Sequence, residues 1–261
     1  MTTRWGILAT GRIAKTLGDA VVASATGELV AVGSRSQASA EAFATNYDGL
    51  TAHETYQGLI DDPDVDALYV ATPHPQHAEW TIKALEAGKA VLCEKPMAVN
   101  HPQVMAMVQK ATDTQTFLME AFMYRTHPQT RRLIELLREG AIGEIRHIHA
   151  SFGFHAPFNA QHRLFANDLA GGGIMDVGCY PVSMARLIAD AEPERVSGHG
   201  RLGELRPTRS PPPCCTFQTV SPLRSPPACS WASTTPSASL AVRGRFTSIN
   251  LGCAPVNGRS L

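Results

Sequence analysis

The chain has 261 residues, of which 44% are hydrophobic and 18% are charged, so it is long enough to bury one large core or two small ones. No apolar run reaches the roughly 18 residues that a membrane-spanning helix needs, and the N-terminus has no long apolar stretch followed by a small-residue cleavage site. These features exclude a transmembrane protein, argue against secretion and predict a cytoplasmic protein.

The formal net charge of zero hides two unlike segments. Residues 201–261 contain seven Arg but no Lys and no Asp, and Glu204 is the one acidic residue there. The same segment holds nine of the 18 prolines and four of the six cysteines. Because no pair of cysteines has the C-x-x-C spacing of a zinc site or a redox pair, we expect no metal. A mildly acidic globular part is thus followed by a basic tail.

Residues 1–121 alternate short apolar runs with helical patterns. Ser36 and Asn100 are predicted helix N-caps. The apolar runs are nearly continuous, which is typical of a parallel sheet covered on both faces. This alternation predicts an α/β fold with a doubly wound parallel sheet, the Rossmann arrangement. Strands are predicted at residues 5–8, 29–33, 67–70, 90–94 and 116–119, and helices at 12–23, 38–47, 77–87 and 103–111.

The pattern changes near residue 122, and residues 122–200 are predicted to begin a second domain of the α+β type. An amphipathic helix is predicted at 130–138, closed by Gly140. A strand is predicted at 144–153, with Ile148 and Ala150 on one face and His147 and His149 on the other. A further helix is predicted at 175–189, after a triplet of glycines.

Residues 201–261 show no helical or strand periodicity, and each proline there removes a backbone donor and restricts the preceding residue. One interpretation is a disordered tail rich in Pro, Arg, Ser and Cys. The interpretation that we favour is a shift of the reading frame near residues 201–206, because Asp and Lys disappear where Cys, Pro and Arg become frequent. Resequencing of the coding DNA distinguishes the two, since a single-base correction should restore a strand-rich continuation.

The first strand–helix turn, residues 6–14, approximates the G-x-G-x-x-G/A pattern of dinucleotide-binding turns, with Ala9 and Ala14 at the first and third glycine positions. A glycine at position 11 lets the backbone approach a pyrophosphate, and the N-terminus of the next helix presents N–H groups to it. An ordinary strand–helix turn is the alternative. The predicted coenzyme contacts are Ala9, Gly11, Arg12 and Ile13.

The second predicted strand ends at Ser34, Arg35 and Ser36. A site for NAD usually places Asp or Glu here to bind the ribose 2′-hydroxyl, and this sequence has neither. Two hydroxyls and a guanidinium suit an anionic 2′-phosphate instead. The sequence therefore predicts NADP(H) rather than NAD(H), the alternative being that Arg35 is a solvated surface charge.

Polar residues also follow the strands at 67–70 and 90–94, where the carboxyl ends of parallel strands line a ligand crevice. For His77 a structural role at the next helix is favoured over catalysis. Lys95 is expected beside the nicotinamide, where its ammonium can hold a substrate oxygen and favour the ionised form of a nearby acid. The predicted coenzyme contacts here are Thr72, Pro73, His74, His77, Glu94 and Lys95.

Taken in order, these motifs resemble the glucose–fructose oxidoreductase / inositol dehydrogenase family, Gfo/Idh/MocA, over roughly residues 4–200. The branch most similar holds the dimeric dihydrodiol dehydrogenases and the NADP-dependent D-xylose 1-dehydrogenases. The resemblance is carried by the first turn, Ala71-Thr72-Pro73 with His77, Glu94-Lys95-Pro96, Glu120-Ala121-Phe122-Met123 with His127-Pro128, and the run from Gly171 to Tyr180.

The resemblance implies an NADP-dependent oxidoreductase that transfers hydride between the nicotinamide and a hydroxyl or carbonyl of a sugar or trans-diol. Lys95 would be the active-site lysine, Tyr180 the general acid and base, and Asp176 a ligand of substrate hydroxyls. The spacing of Asp176 and Tyr180 puts both on one face of a helix. A tyrosine is a weak base at its free pKa of about 10, so a neighbouring lysine charge would help by favouring tyrosinate.

The family's second domain has a large open antiparallel sheet that covers the active site and often pairs with another subunit, and only its beginning is expected here. The alternative function is therefore an inactive, truncated fragment that retains dinucleotide binding, and the family's homo-oligomer is doubtful for this chain. Arg163 could reach substrate or phosphate, although a surface role is favoured. Neither a metal, a membrane nor a nucleic acid is an expected partner.

Overall fold

The computed structural model describes residues 2–198 and two short strands at 238–242 and 249–251. The chain divides into two compact units, Met1–Phe122 and Met123–Leu261. Within the described part, no helix is both long and apolar enough to cross a bilayer. Most of the predicted tail, residues 201–261, lies outside the described residues.

The first unit contains a six-stranded sheet in the order β3-β2-β1-β4-β5-β6. Every pair of neighbours in it is parallel, which confirms the predicted doubly wound sheet. The strand order reverses between β1 and β4, and ligands of such sheets bind outside the carboxyl ends of the strands at this switch point. The strands are β1 Thr3–Leu8, β2 Gly27–Gly33, β3 Thr51–His53, β4 Ala67–Val70, β5 Ala90–Cys93 and β6 Leu118–Glu120.

Helices cover both faces of this sheet. Ile7 and Tyr69 belong to one core cluster, while their chain neighbours Leu8 and Val70 belong to the other, as expected when successive side chains of a strand point to opposite faces. All four are nearly or fully buried. The helices are α1 Arg12–Val22, α2 Gln37–Ala44, α3 Tyr56–Ile60, α4 His77–Glu86 and α5 His101–Asp113, with a 3-10 turn at His74–Gln76.

The structure contains both of the helix N-caps that the sequence predicts. The side chain of Ser36 accepts a hydrogen bond from the Ser39 N–H, and that of Asn100 accepts one from the Gln103 N–H. Each satisfies a backbone donor that the first turn of a helix leaves open. The predicted caps are therefore confirmed.

The second unit begins with a 3-10 turn, Met123–Thr126, and α6, Pro128–Arg138. Strand β7, Ile148–Ser151, is shorter than predicted; Ile148 and Ala150, which were predicted to share a face, are both buried. They pack with Leu133 of α6. A 3-10 turn follows at Asn167–Leu169, then a π-helical turn at Ile174–Gly178 that runs directly into α7, Cys179–Ala189.

Two strands lie in the segment for which the sequence predicts no regular structure. They are β8, Ala238–Val242, and β9, Ile249–Leu251, and they extend β7 into an antiparallel sheet in the order β7-β8-β9. The prediction is wrong at these positions. Residues 237–254 contain no proline, so the backbone donors that a ladder needs are present there.

Candidate active site

The turn after β1 leads directly into the uncapped N-terminus of α1. Ala9, which stands where the motif has glycine, has a φ of 86°, and its N–H donates to the carbonyl of Gly33 at 2.9 Å. Gly11 is the N-cap of α1 and offers no side-chain cap, and the first turn of α1 contains no acidic residue. The open N–H groups and the partial positive charge of this helix end are therefore available to an anion.

Gly11 is not required by the packing of the chain itself. Its φ is −74°, which any residue adopts, and a Cβ at this position would meet no described atom within 4 Å. By contrast, a Cβ at Gly18 of the same helix would lie 2.5 Å from the hydroxyl of Tyr47. An open cleft of about 370 Å³ adjoins Gly11, and Arg12 and Lys15 contribute positive charge to its lining. These features fit the phosphates of a dinucleotide.

The end of β2 offers positive charge and hydroxyls. Ser34 is buried and its N–H donates to the His53 carbonyl at 3.1 Å. The hydroxyl of Ser36 is engaged as the cap of α2 and donates to Ser39 at 2.9 Å. Burial raises the pKa of Tyr56, and the positive charge of the nearby Arg35 opposes the rise. Arg35 thus lies close to α3, at the end of β2.

Two predicted residues after β4 are buried at the same edge of the sheet. Thr72 is 5% exposed, and its hydroxyl has no hydrogen-bond partner among the described residues. His77 is fully buried, with Nε2 at 2.8 Å from the Thr72 carbonyl and Nδ1 at 2.9 Å from the Pro96 carbonyl. His77 therefore links the segments that follow β4 and β5.

Burial lowers the pKa of His77, although the hydrogen bonds to the two carbonyls oppose this effect. The unfolded chain, with a pKa near 6.5, then binds more protons than the folded chain just below that pH. The contribution of His77 to the free energy of unfolding is therefore complete above the unfolded pKa. It is lost as pH falls towards the pKa of the folded state, at up to about 1.4 kcal/mol per pH unit.

We expect this pH dependence to disappear in His77→Gln. Urea unfolding between pH 7.5 and 5.5 measures it, and His101→Gln, which replaces an exposed histidine of α5, is the matched control. An unchanged pH slope in His77→Gln would contradict the assignment.

Three side chains hold the Glu94-Lys95-Pro96 segment in place. The Tyr69 hydroxyl donates a short hydrogen bond to Glu94, His77 contacts the Pro96 carbonyl as described, and Glu120 accepts from the Met97 N–H at 2.8 Å. The Lys95 N–H donates to the other oxygen of Glu94 at 3.1 Å. The half-buried Lys95 is therefore fixed to the carboxyl ends of β4, β5 and β6.

In the second unit, Asp176 lies in the π-helical turn and Tyr180 in the first turn of α7. The prediction of a regular helix from residue 175 is wrong for this turn, which is wider by one residue than an α-turn. Asp176 is 7% exposed and accepts a hydrogen bond from Arg163 at 2.9 Å. The Tyr180 hydroxyl lies 3.6 Å from the sulfur of Met123, and its ring packs edge-on against Phe152 at 5.3 Å.

The candidate residues thus form two groups. The first unit gathers its group at the carboxyl ends of parallel strands, and the second unit holds Asp176 and Tyr180 on one continuous helical segment. Tyr69 was not predicted as a site residue, and Glu120 was named only within a motif and without a role; the signal in both cases was a polar side chain within an apolar strand. No cluster of three His, Cys, Asp or Glu residues that could hold a metal occurs within the described part of the chain.

Comparison with known proteins finds a family model that matches each of the two units. The model of the oxidoreductase family with an NAD-binding Rossmann fold, GFO/IDH/MocA, matches residues 3–122, and the model of the GFO/IDH/MocA C-terminal domain matches residues 130–217. The chain belongs to the GFO/IDH/MocA oxidoreductase family. The resemblance inferred from the motifs is confirmed, and the second match extends past the predicted domain boundary at residue 200.

Individual members of the GFO/IDH/MocA family share more than a third of their aligned residues with this chain. Mouse trans-1,2-dihydrobenzene-1,2-diol dehydrogenase is 41% identical over 209 residues, which cover 78% of this chain and 62% of that protein. D-xylose 1-dehydrogenase (NADP(+)) 2 of Haloferax volcanii is 40% identical over 193 residues, or 74% of this chain and 58% of that protein. The chain therefore spans about three fifths of the length of these relatives.

A solved structure has a similar fold. It is KijD10, a 3-ketoreductase from Actinomadura kijaniata, in complex with NADP and TDP-benzene. The TM-score is 0.67 at 36% identity, covering 72% of this chain and 57% of that chain.

Proposed function

We propose that this chain binds NADP(H) through its first unit and transfers hydride between the coenzyme and a hydroxyl or carbonyl of a sugar or trans-diol. The observation that carries the proposal is the turn at Gly11, an uncapped helix N-terminus beside a glycine that internal packing does not need. The names of the relatives support the substrate class.

The preference for NADP(H) over NAD(H) rests on charge at the end of β2. Residues 33–36 contain no acid that would bind a ribose 2′-hydroxyl and repel a phosphate. The first turn of α2 is also free of acidic residues, so its N-terminus adds partial positive charge next to Arg35. A bound 2′-phosphate would find the Arg35 guanidinium and the N-terminus of α2 here.

Replacing Arg35 with glutamine is expected to lower the affinity for NADPH by roughly 10- to 100-fold and to leave that for NADH unchanged. The reason is the loss of a charge-assisted hydrogen bond, worth about 1.5–3 kcal/mol. Fluorescence titration of both coenzymes measures the change, with Arg138→Gln, an exposed arginine of α6, as control. Equal losses for NADPH and NADH would contradict a role at the 2′-phosphate.

In the proposed reaction, each polar residue has one task. The bound nicotinamide supplies hydride chemistry. Tyr180 takes the proton of the substrate hydroxyl on its Oη in oxidation and returns it in reduction. The Lys95 ammonium favours the charged forms that develop on neighbouring oxygens. Asp176 accepts hydrogen bonds from substrate hydroxyls and so orients the reacting carbon.

The second candidate is a chain that binds the coenzyme without turnover. The composition of residues 201–261 favours it, because the family's second domain is not expected to continue in such a sequence. Steady-state assays with NADP⁺ and with NADPH, on D-xylose and on trans-diols, separate the two. Saturable binding without any turnover would favour the second candidate. The cytoplasmic location and the homo-oligomer implied by the family stay predictions.

A further inference from the structure

Arg163 and Asp176 form an ion pair of unequal burial in the second unit. Arg163 Nη1 lies 2.9 Å from Asp176 Oδ1, and the exposed fractions of the two side chains are 48% and 10%. Among the described residues the guanidinium has no other hydrogen-bond partner. A largely buried carboxylate is thus attached to a half-exposed cation that keeps unused donors.

The glycine triplet explains how Arg163 reaches Asp176. The N–H of Gly171 donates to the Ala166 carbonyl and that of Gly172 to the Leu164 carbonyl, each at 2.9 Å. A Cβ at Gly171 would come within 2.9 Å of the backbone of this same loop, and Gly172 has a φ of 125°, which favours glycine. The loop is therefore folded back against the start of the π-helical turn.

The backbone of Asp176 is held by the same part of the chain as its side chain. The Asp176 N–H donates to the Gly172 carbonyl at 3.1 Å. Its carboxylate accepts from Arg163, so both contacts are with the segment of residues 163–172. A buried carboxylate that loses a charged partner is destabilised by its desolvation, or it moves to find other donors. Arg163 is therefore one of the groups that hold this carboxylate, and it does so through a direct ion pair at 2.9 Å.

We propose that Arg163 is a positioning residue, which fixes the Asp176 carboxylate in the orientation that binds substrate hydroxyls. The inference rests on the proposed function, because that function gives Asp176 its substrate. Contact with a coenzyme phosphate is less favoured, since the charge of Arg163 is already balanced by Asp176. A role as a solvated surface charge is also less favoured for Arg163, since its partner Asp176 is buried.

Equilibrium binding of two neutral probes, D-xylose and trans-1,2-cyclohexanediol, tests the proposal on the full chain saturated with NADP⁺. Arg163→Gln is expected to weaken the binding of the probes roughly tenfold, about 1.4 kcal/mol, and to leave the affinity for NADP⁺ unchanged. Arg163→Lys should retain part of the affinity. Arg132→Gln, which breaks an exposed ion pair of α6, is the matched control and should bind as the unmodified chain does.

A double-mutant cycle separates positioning from a general loss of structure. If Arg163 acts through Asp176, Arg163→Gln should add little to the loss caused by Asp176→Asn. Additive losses, or unchanged probe binding in Arg163→Gln, would overturn the proposal. If Arg163→Gln fails to fold by circular dichroism, Arg163→Lys decides: unchanged probe binding overturns the proposal, and weaker probe binding with intact NADP⁺ binding supports it.

The unmodified chain distinguishes the two possible failures. If it binds NADP⁺ but neither probe, the proposed substrate class fails and the role of Arg163 fails with it. If it binds the probes and Arg163→Gln binds them equally well, the role of Arg163 alone fails.

Discussion

Replacing Tyr180 with phenylalanine is expected to lower kcat/KM by about 10²- to 10⁴-fold, the contribution typical of a positioned acid–base group. The variant removes the Oη that exchanges a proton with the substrate and keeps the ring that packs against Phe152. The hydroxyl's contact with the Met123 sulfur, at 3.6 Å, is a weak one, so the fold should be little affected. Steady-state kinetics in both directions and a coenzyme titration measure the effect.

Tyr124→Phe is the matched control for this prediction. Tyr124 lies in the same unit, and its hydroxyl bonds to the hydroxyl of Ser183 at 2.8 Å. Its removal should cost about 1 kcal/mol of stability and leave kcat/KM close to that of the unmodified chain. A Tyr180→Phe variant that turns over normally, beside a Tyr124→Phe variant that does not, would show that the acid–base role has been assigned to the wrong tyrosine.

Gly11→Val is expected to lower the affinity for NADPH at least roughly 100-fold, or about 2.7 kcal/mol. The backbone at Gly11 tolerates a side chain, and a Cβ there meets no described atom within 4 Å. The new side chain would instead occupy the space through which the phosphates approach α1. The free energy of unfolding should fall by no more than about 1 kcal/mol, the usual range for a changed N-cap.

Gly18→Ala is the comparison variant, and we expect it to lower stability while leaving the affinity for NADPH unchanged. Its Cβ would crowd Tyr47, so unfolding by urea should require less denaturant, while the coenzyme site at the other end of α1 is untouched. If Gly11→Val binds NADPH as tightly as the unmodified chain, Gly11 does not face the phosphates.

The architecture of the first unit was predictable because its strands are continuous apolar runs. Both faces of this sheet are buried, as the burial of Ile7, Leu8, Tyr69 and Val70 shows. Continuous apolar strands are typical of a parallel sheet that helices cover on both faces. Strand β3, Thr51–His53, was missed, since three residues with partly exposed side chains carry no periodic signal. The short α3 was missed for the same reason.

The local backbone structure of the second unit was harder to predict than the position of α7. The π-helical turn at Ile174–Gly178 depends on hydrogen-bond geometry that residue spacing does not encode. Strands β8 and β9 were missed because the prolines around them dominate the composition. Their pairing with β7 is a tertiary contact between distant parts of the chain.

The residue types of the candidate site followed from their places at strand ends, but their contacts did not. Glu94 is held by Tyr69 and Met97 by Glu120, pairs that stand 25 and 23 residues apart in the sequence. The pairing of Arg163 with Asp176 depends on the close approach of Gly171 to a loop backbone. Such contacts arise only when the elements pack, so the sequence could name the participants without their partners.

We propose that a nicotinamide coenzyme binds at the carboxyl edge of the first unit's sheet, and titration of the full chain with NADPH and NADH by intrinsic fluorescence measures this binding directly. We predict saturable binding of NADPH that is tighter than the binding of NADH. A chain that is folded by circular dichroism yet shows no saturation with either coenzyme would contradict the account.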